Sequence, residues 1–331
     1  MAVVDDASVV NQNLVFNKLS IITYNMHGYN QGSVLLKELC DCNIYDVIYI
    51  QEHWMSPTAL HKILQISNNY IGYGISAMES ALSSGILKGR PFGGTAILIK
   101  KCFSSHCTNI VTFDRLVSIT VFDILFINTY MPCEDGSLNS LDCVQEILAN
   151  ASDIIESSTF DYIIFGGDLN VNLNGKSPHS IAILDFLLTY KLLIGKRKNV
   201  TNVSSSSNCS ENIDYTFSNE KLKRYSTIDY LCYSKLLAEC ISKYDVINNA
   251  TNLSDHLPVS LCVDMPDYSS MFKFIASGYS ASSPNFTSYS SDNIKSTEKR
   301  PICVGIMLIS IHTTILQAIY CILFMMKLCL L

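Results

Sequence analysis

Apolar residues recur along this chain in short runs rich in β-branched and aromatic side chains, at 19–24, 46–50, 95–100, 116–122, 124–129, 162–165, 228–233 and 259–263, and each run predicts a strand. Between them, 33–41, 137–157 and 179–193 carry apolar residues at three- and four-residue spacing, so helices interleave with the strands and cover the sheets. Asp123 alone separates two of the strand runs, as in a hairpin with a tight turn. Part of the β structure is therefore antiparallel rather than a doubly wound parallel array, and the pattern favours a two-sheet sandwich flanked by helices.

Outside these runs the periodicity fades. Residues 199–212 form a Ser/Asn-rich loop and 267–300 a Ser-rich linker, and no internal repeat is visible. Residues 302–326 are uncharged and apolar over about the length needed to cross a bilayer, with Lys299, Arg300 and Lys327 at the flanks. One reading is a C-terminal membrane anchor. The other is a docking helix, or an extension past a truncated reading frame, because His312, Thr313, Thr314 and Gln317 interrupt the run. The expected organisation is a leader at 1–18, a folded domain at 19–266, a linker at 267–300 and the apolar segment at 301–331. The leader carries Asp5 and Asp6 and lacks a basic region followed by an apolar core, so no secretory signal is expected. The Asn-x-Ser/Thr matches at Asn150, Asn199, Asn202, Asn208, Asn249, Asn252 and Asn285 then reflect composition rather than glycosylation.

Composition bounds the class. A chain of 331 residues with 48% hydrophobic content can bury a full core as one large domain plus an appendage. Its formal charge of −6 excludes a protein that grips nucleic acid by bulk neutralisation of the backbone, so any such contact is local or weak. The 13 cysteines are odd in number and form no C-x-x-C, and they read as mostly reduced and buried.

Candidate chemistry gathers where the apolar runs end. Asn25 closes the first run in T-Y-N-M-H-G, with Gly28 in the turn; Glu52 follows the second in I-Q-E, as a carboxylate suited to a hard cation such as Mg²⁺. Tyr130 closes the run before Met131-Pro132 and can offer its hydroxyl to a phosphate. Asp168 and Asn170, two apart after Gly166-Gly167, fall on one face of extended backbone, toward one bound phosphate or water. Asp229 is an acid inside an apolar strand and needs a partner to be buried there. His256 can be that partner and can donate a proton to a phosphate oxygen, while the adjacent Asp255 binds metal or positions a water. Taken singly, each is more simply a packed or strand-end residue. As a set, nearly all at strand tips, they point to phosphate chemistry. Lys221, Lys223 and Arg224 beside Tyr225 form the one compact basic and aromatic patch near a catalytic strand, a candidate phosphate-contact loop whose plainer reading is a solvated hairpin.

In order, T-Y-N-M-H-G, I-Q-E-H-W, N-T-Y-M-P, G-G-D-L-N, S-T-I-D-Y and S-D-H-L-P resemble the endonuclease/exonuclease/phosphatase superfamily over about 19–266. The narrower resemblance, carried by N-M-H-G, R-P-F-G-G-T-A-I-L at 90–98 and S-T-I-D-Y, is to the apurinic-like endonuclease domains of LINE-type retrotransposons. The resemblance implies an α/β, four-layer αββα sandwich of two mixed β-sheets flanked by helices, DNA as substrate, Mg²⁺ (with Mn²⁺ as the alternative) as cofactor, and a nuclear or cytoplasmic location. It further implies that Glu52 binds the metal with Asn25, that Tyr130 contacts the scissile phosphate, and that Asp168 orients or deprotonates the attacking water. Asn170 would steady the transition state, Asp229 would orient His256, His256 would stabilise the phosphoryl oxygens, and Asp255 would join the metal and water network. His27 stands where abasic-site repair relatives carry Asp, and Thr227 where many carry Arg, so general nicking is expected rather than abasic-site specificity. No reverse transcriptase follows 266, and a truncated or isolated endonuclease module is expected. The rival readings are a membrane-tethered phosphodiesterase resembling neutral sphingomyelinases, which rests on the apolar tail, and an inactive DNA-binding or interaction remnant.

Overall fold

In the computed structural model of the protein, residues 18–79, 82, 85, 92–157, 160, 162–197 and 213–264 are described. Each of two six-stranded sheets is built around a parallel pair joined by a helical crossover. In the first, β1 (Lys18–Asn25) leads through α1 (Tyr29–Asp41) to β2 (Val47–Gln51), which pairs parallel with β1. After the short α2 (His61–Leu64), β3 (Tyr70–Ile75) and β4 (Thr95–Lys100) extend that sheet antiparallel. In the second, β5 (Cys107–Phe113), β6 (Leu116–Val121) and β7 (Ile124–Tyr130) form a meander, and α3 (Leu138–Glu156) crosses to β8 (Tyr162–Asp168), parallel to β7. Then α4 (Pro178–Thr189) and β9 (Leu192–Ile194) precede the small hairpin β10 (Phe217–Asn219) and β11 (Arg224–Ser226). The strand β12 (Asp229–Ser234) returns to the second sheet, and β13 (Ile241–Val246) and β14 (Val259–Asp264) complete the first. The strand orders are β13-β14-β1-β2-β4-β3 and β5-β6-β7-β8-β12-β9.

The apolar runs are continuous because the central strands are buried on both faces. In β1 and β2, Ile21, Val47 and Tyr49 face the second sheet, where they meet Ile119, Phe126 and Ile164. Their neighbours Ile22, Tyr24, Ile48 and Ile50 face the other way, onto Leu35, Leu36 and Leu39 of α1. The second sheet repeats this, with Leu125, Ile127, Ile163 and Phe165 packed under Val144 and Ile147 of α3 and Ile183 and Phe186 of α4. Helix, sheet, sheet and helix stack as four layers. Both long helices of the second half begin at a serine cap, Ser137 and Ser177, whose hydroxyls accept from the backbone amides of Ser140 and Ser180.

All eight strands expected from the pattern form, and Asp123 lies in the tight turn between Val121 and Ile124. The helix expected over 179–193 ends at Thr189; Lys191 turns with φ 54° and 192–194 becomes β9. The cysteine reading needs correction. None of the nine described cysteines is in a disulfide, but only Cys40 and Cys232 are buried, while Cys42, Cys102 and Cys133 are exposed. These three lie at or beyond the ends of α1, β4 and β7, where no second layer covers them. The expected loop at 199–212, linker at 267–300 and apolar run at 302–326 lie outside the described residues. Among the described residues no helix is long and apolar enough to cross a membrane.

Candidate active site at the strand tips

Because β1 and β2 are parallel and β7 and β8 are parallel, the carboxyl ends of both pairs present side chains at the same edge of the sandwich. Register fixes the rest: Asn25 lies opposite Gln51, Tyr130 opposite Asp168, and Asp229 of the antiparallel β12 directly opposite Asp168. The Gly166-Gly167 pair before Asp168 is a packing requirement. A Cβ on Gly166 would stand 2.1 Å from the Tyr230 carbonyl oxygen, and one on Gly167, at φ +125°, 2.0 Å from that of Thr129.

One amide joins the two sheets. Asn25 Nδ2 donates to Glu52 Oε1 at 3.0 Å and to Asp168 Oδ2 at 2.8 Å. Asn170 donates to the same carboxylate twice, from its backbone N to Oδ1 (2.9 Å) and from Nδ2 to Oδ2 (3.1 Å), and its Nδ2 also reaches the Met131 carbonyl. Asp168 is wholly buried, and burial, with the Asp229 charge second, pushes its carboxyl up to about 8. His256 Nδ1 sits 3.0 and 3.1 Å from the two carboxylate oxygens of Asp229, with both residues buried. Burial opposes charge on that imidazole, but the Asp229 and Asp168 carboxylates outweigh it and raise His256 to about 10. Asp255 takes a different place from its neighbour: its Oδ1 meets His27 Nδ1 at 2.8 Å and stands 4.0 Å from His256 Nε2. Burial works against the Asp255 charge, yet the His27 hydrogen bond holds its carboxyl below the usual range. Tyr130 is held neutral by burial and by the Glu52 charge, with Arg115 over its ring at 4.8 Å.

The structure therefore brings together Asn25, Glu52, Tyr130, Asp168, Asn170, Asp229, Asp255 and His256. It places Lys221, Lys223 and Arg224 apart, exposed on the turn and second strand of the small hairpin. The base of that hairpin reaches the site: Ser218 N donates to the Asp255 carbonyl, and Phe217 pairs with His256 as an isolated bridge. The roles of several supporting residues are not legible in the sequence, although Trp54 and Ser254 fall inside I-Q-E-H-W and S-D-H-L-P. Ser254 accepts from His256 N and donates to the Asn25 carbonyl, and Asn252 ties His256 O to the Tyr24 hydroxyl. Trp54 Nε1 donates to Glu52 Oε2 at 3.0 Å. Beneath them Asn128 and Gln51, both fully buried, link β7 to the β2 and β4 backbones. Four of the site's non-glycine residues, His27, Glu52, Trp54 and Asn170, have left-handed backbone with φ of 47 to 55°. Such conformations are sustained only where the surroundings over-determine them, and they collect at functional sites.

The oxygen ligands offered by Glu52, Asn25 and Asp255 suit a hard divalent cation. One ligand atom each of Asp168, Asp229 and His256 also lie within 4.8 Å of one another. Since His256 Nδ1 is committed to Asp229, that trio forms an oriented imidazole beside a carboxylate.

The two helix-flanked sheets form a fold that solved structures share. The chain is similar to an AP endonuclease from Archaeoglobus fulgidus (TM-score 0.53, 18% identity, covering 75% of this chain and 100% of that one). It is also similar to the AP endonuclease LMAP from Leishmania major (0.56, 14%, 76% and 89%) and to the 3′ phosphatase NExo from Neisseria bound to product DNA hairpin (0.56, 16%, 75% and 100%). No protein-family model matches the sequence, and no curated protein does.

Proposed function

We propose that the chain is a divalent-metal-dependent phosphodiester hydrolase that nicks DNA, of the kind found in LINE-type retrotransposons. The observation that carries this reading is the shared Asn25 amide, which holds Glu52 from one sheet and Asp168 from the other in one constellation beside the Asp229–His256 pair. Its support from known proteins is the fold shared with enzymes that act on DNA, one of them described bound to a DNA product. The LINE-type assignment rests on the sequence motifs. The described part of R-P-F-G-G-T-A-I-L borders the site, with the Gly93 carbonyl accepting from Trp54 N and Gly94 packed against His53.

Glu52 and Asn25, with Asp255 at the rim, would hold Mg²⁺ or Mn²⁺. When bound, the cation supplies neutralisation of the charge that builds on the phosphate oxygens. Asp168 accepts a proton from the attacking water as the new P–O bond forms, and the ester P–O bond opposite it breaks; the departing alkoxide takes its proton from solvent. Once deprotonated, a carboxyl raised by burial is a stronger base than an exposed one. Asn170 fixes the direction of that carboxylate. His256, protonated and oriented through Nδ1 by Asp229, presents Nε2–H to a non-bridging oxygen, and Tyr130 adds a neutral donor.

Supercoiled plasmid and sphingomyelin vesicles, each incubated with the protein and Mg²⁺, separate the readings. The expected result is conversion of supercoiled to open-circular DNA and no phosphocholine release. Release of phosphocholine without nicking would replace this function with the lipid phosphodiesterase, and neither product would leave a non-catalytic protein.

A further inference from the structure

Trp54 is the one tryptophan in the chain, and nothing in the chemistry above uses it. It is nonetheless held from several sides. Its backbone N donates to the Gly93 carbonyl at 3.0 Å and its own φ is 55°. Its ring lies against Gly28, where any Cβ would come within 2.4 Å of the indole, so a residue other than glycine at 28 would displace the ring. The His27 ring packs on it at 5.0 Å between centroids, and His27 is in turn paired to Asp255. This packing directs the indole N–H onto Glu52 Oε2, while Asn25 Nδ2 takes Oε1. Both oxygens of the Glu52 carboxylate are thus pinned by donors that carry no net charge.

We propose that Trp54 is a positioning residue for the divalent cation: its indole N–H fixes the Glu52 carboxylate in the orientation that binds the ion. This rests on the reading of Glu52 as a metal ligand. A neutral donor on a carboxylate sets its rotamer without cancelling its charge, and its remaining lone pairs stay available to a hard cation. Partners of this kind outside the ligand set typically contribute 10- to 100-fold in metal affinity or activity. An indole hydrogen-bonded to a ligand also makes the chain's own fluorescence a reporter of the site.

The test uses the full chain and Mg²⁺ alone, without DNA. Titrating Mg²⁺ into the wild-type protein is expected to change the Trp54 emission saturably, and Glu52→Gln is expected to abolish that change. Calorimetric titration of Trp54→Phe, which keeps an aromatic ring and loses the N–H, is expected to show Mg²⁺ affinity lowered by about 10-fold or more, with unchanged far-ultraviolet circular dichroism. A flat emission titration in a protein that binds Mg²⁺ calorimetrically would overturn the proposal, as would a Trp54→Phe affinity within twofold of wild type. If Trp54→Phe does not fold, the wild-type emission and its loss in Glu52→Gln decide alone. Since no DNA is present, these results are independent of the nicking assay: nicking with an unaffected Trp54→Phe affinity removes the positioning role alone, and an Mg²⁺-dependent emission change without nicking removes the DNA reading alone.

Discussion

The Asp168 carboxylate accepts three hydrogen bonds in a fully buried position, and that one fact sets what its neighbours must be. Two of the three come from Asn170 and one from Asn25, which lies 143 residues before the acceptor. His53 illustrates the same constraint with the opposite sign. It is buried beside Glu52, its Nδ1 accepts from Met55 N, and its Nε2 faces the Ile75 carbonyl. Burial therefore lowers it from 6.5 to about 4. The unfolded chain takes up a proton at this residue as pH falls below about 6.5, while the folded chain does not until about 4. His53 thus withdraws stability as pH falls through that window, by up to roughly 3 kcal/mol. Urea unfolding of the metal-free protein at pH 7 and pH 4.5 should show a smaller loss for His53→Gln than for wild type, and an equal loss would contradict the assignment. At this scale the chemistry-bearing residues were legible, because an acid, amide or imidazole at the end of an apolar run has few other reasons to be there. The roles of His53, Trp54, Asn252 and Ser254 were not, although three of the four fall inside I-Q-E-H-W and S-D-H-L-P, since those roles depend on partners far away in sequence.

At the scale of elements, the eight central strands and three main helices were readable because burial on both faces leaves unbroken apolar runs. The strands that escaped, β3, β5, β9, β10, β11 and β13, lie on sheet edges or in the small hairpin. There one flank meets solvent, so polar residues interrupt the pattern, as the mostly exposed β5 shows. The glycines before Asp168 mark where elements approach most closely. Gly166→Ala would force β8 away from the Tyr230 carbonyl of β12, and with it Asp168 away from Asp229. The expected cost is about 3 kcal/mol, at the upper end of overpacking in a core. That lowers Tm by on the order of 10 °C for a domain of this size. A melting temperature within about 2 °C of wild type in differential scanning calorimetry would show that the strands have room to spare, contrary to the packing described here.

For the molecule as a whole, the two βαβ units bring four parallel strand ends to one edge, and the small hairpin projects from the same region. The net charge of −6 leaves affinity for a polyanion to local groups. Lys221, Lys223 and Arg224 on the hairpin are the candidates in the described fold. Replacing all three with Ala should weaken DNA binding similarly across sequences and reduce the slope of log affinity against log salt by about 3. An unchanged slope would place the phosphate contacts elsewhere. The two-sheet sandwich flanked by helices was legible from the alternation of strand and helix runs, and its four layers were implied by the resemblance. The meeting of both halves at one site was implied by resemblance and required the fold to be seen as geometry.

In the proposed function Asp168 and His256, on separate elements, are parts of one hydrolytic site. Initial rates of Mg²⁺-dependent plasmid nicking by wild type, Asp168→Ala and His256→Ala test it most directly. Both substitutions should lower the rate by about 10³-fold or more, as removal of a base or of a transition-state donor does. The double substitution should fall little further, because groups that act as a unit are not additive. Nicking within about tenfold of wild type in either single variant, with the protein folded, would contradict the account.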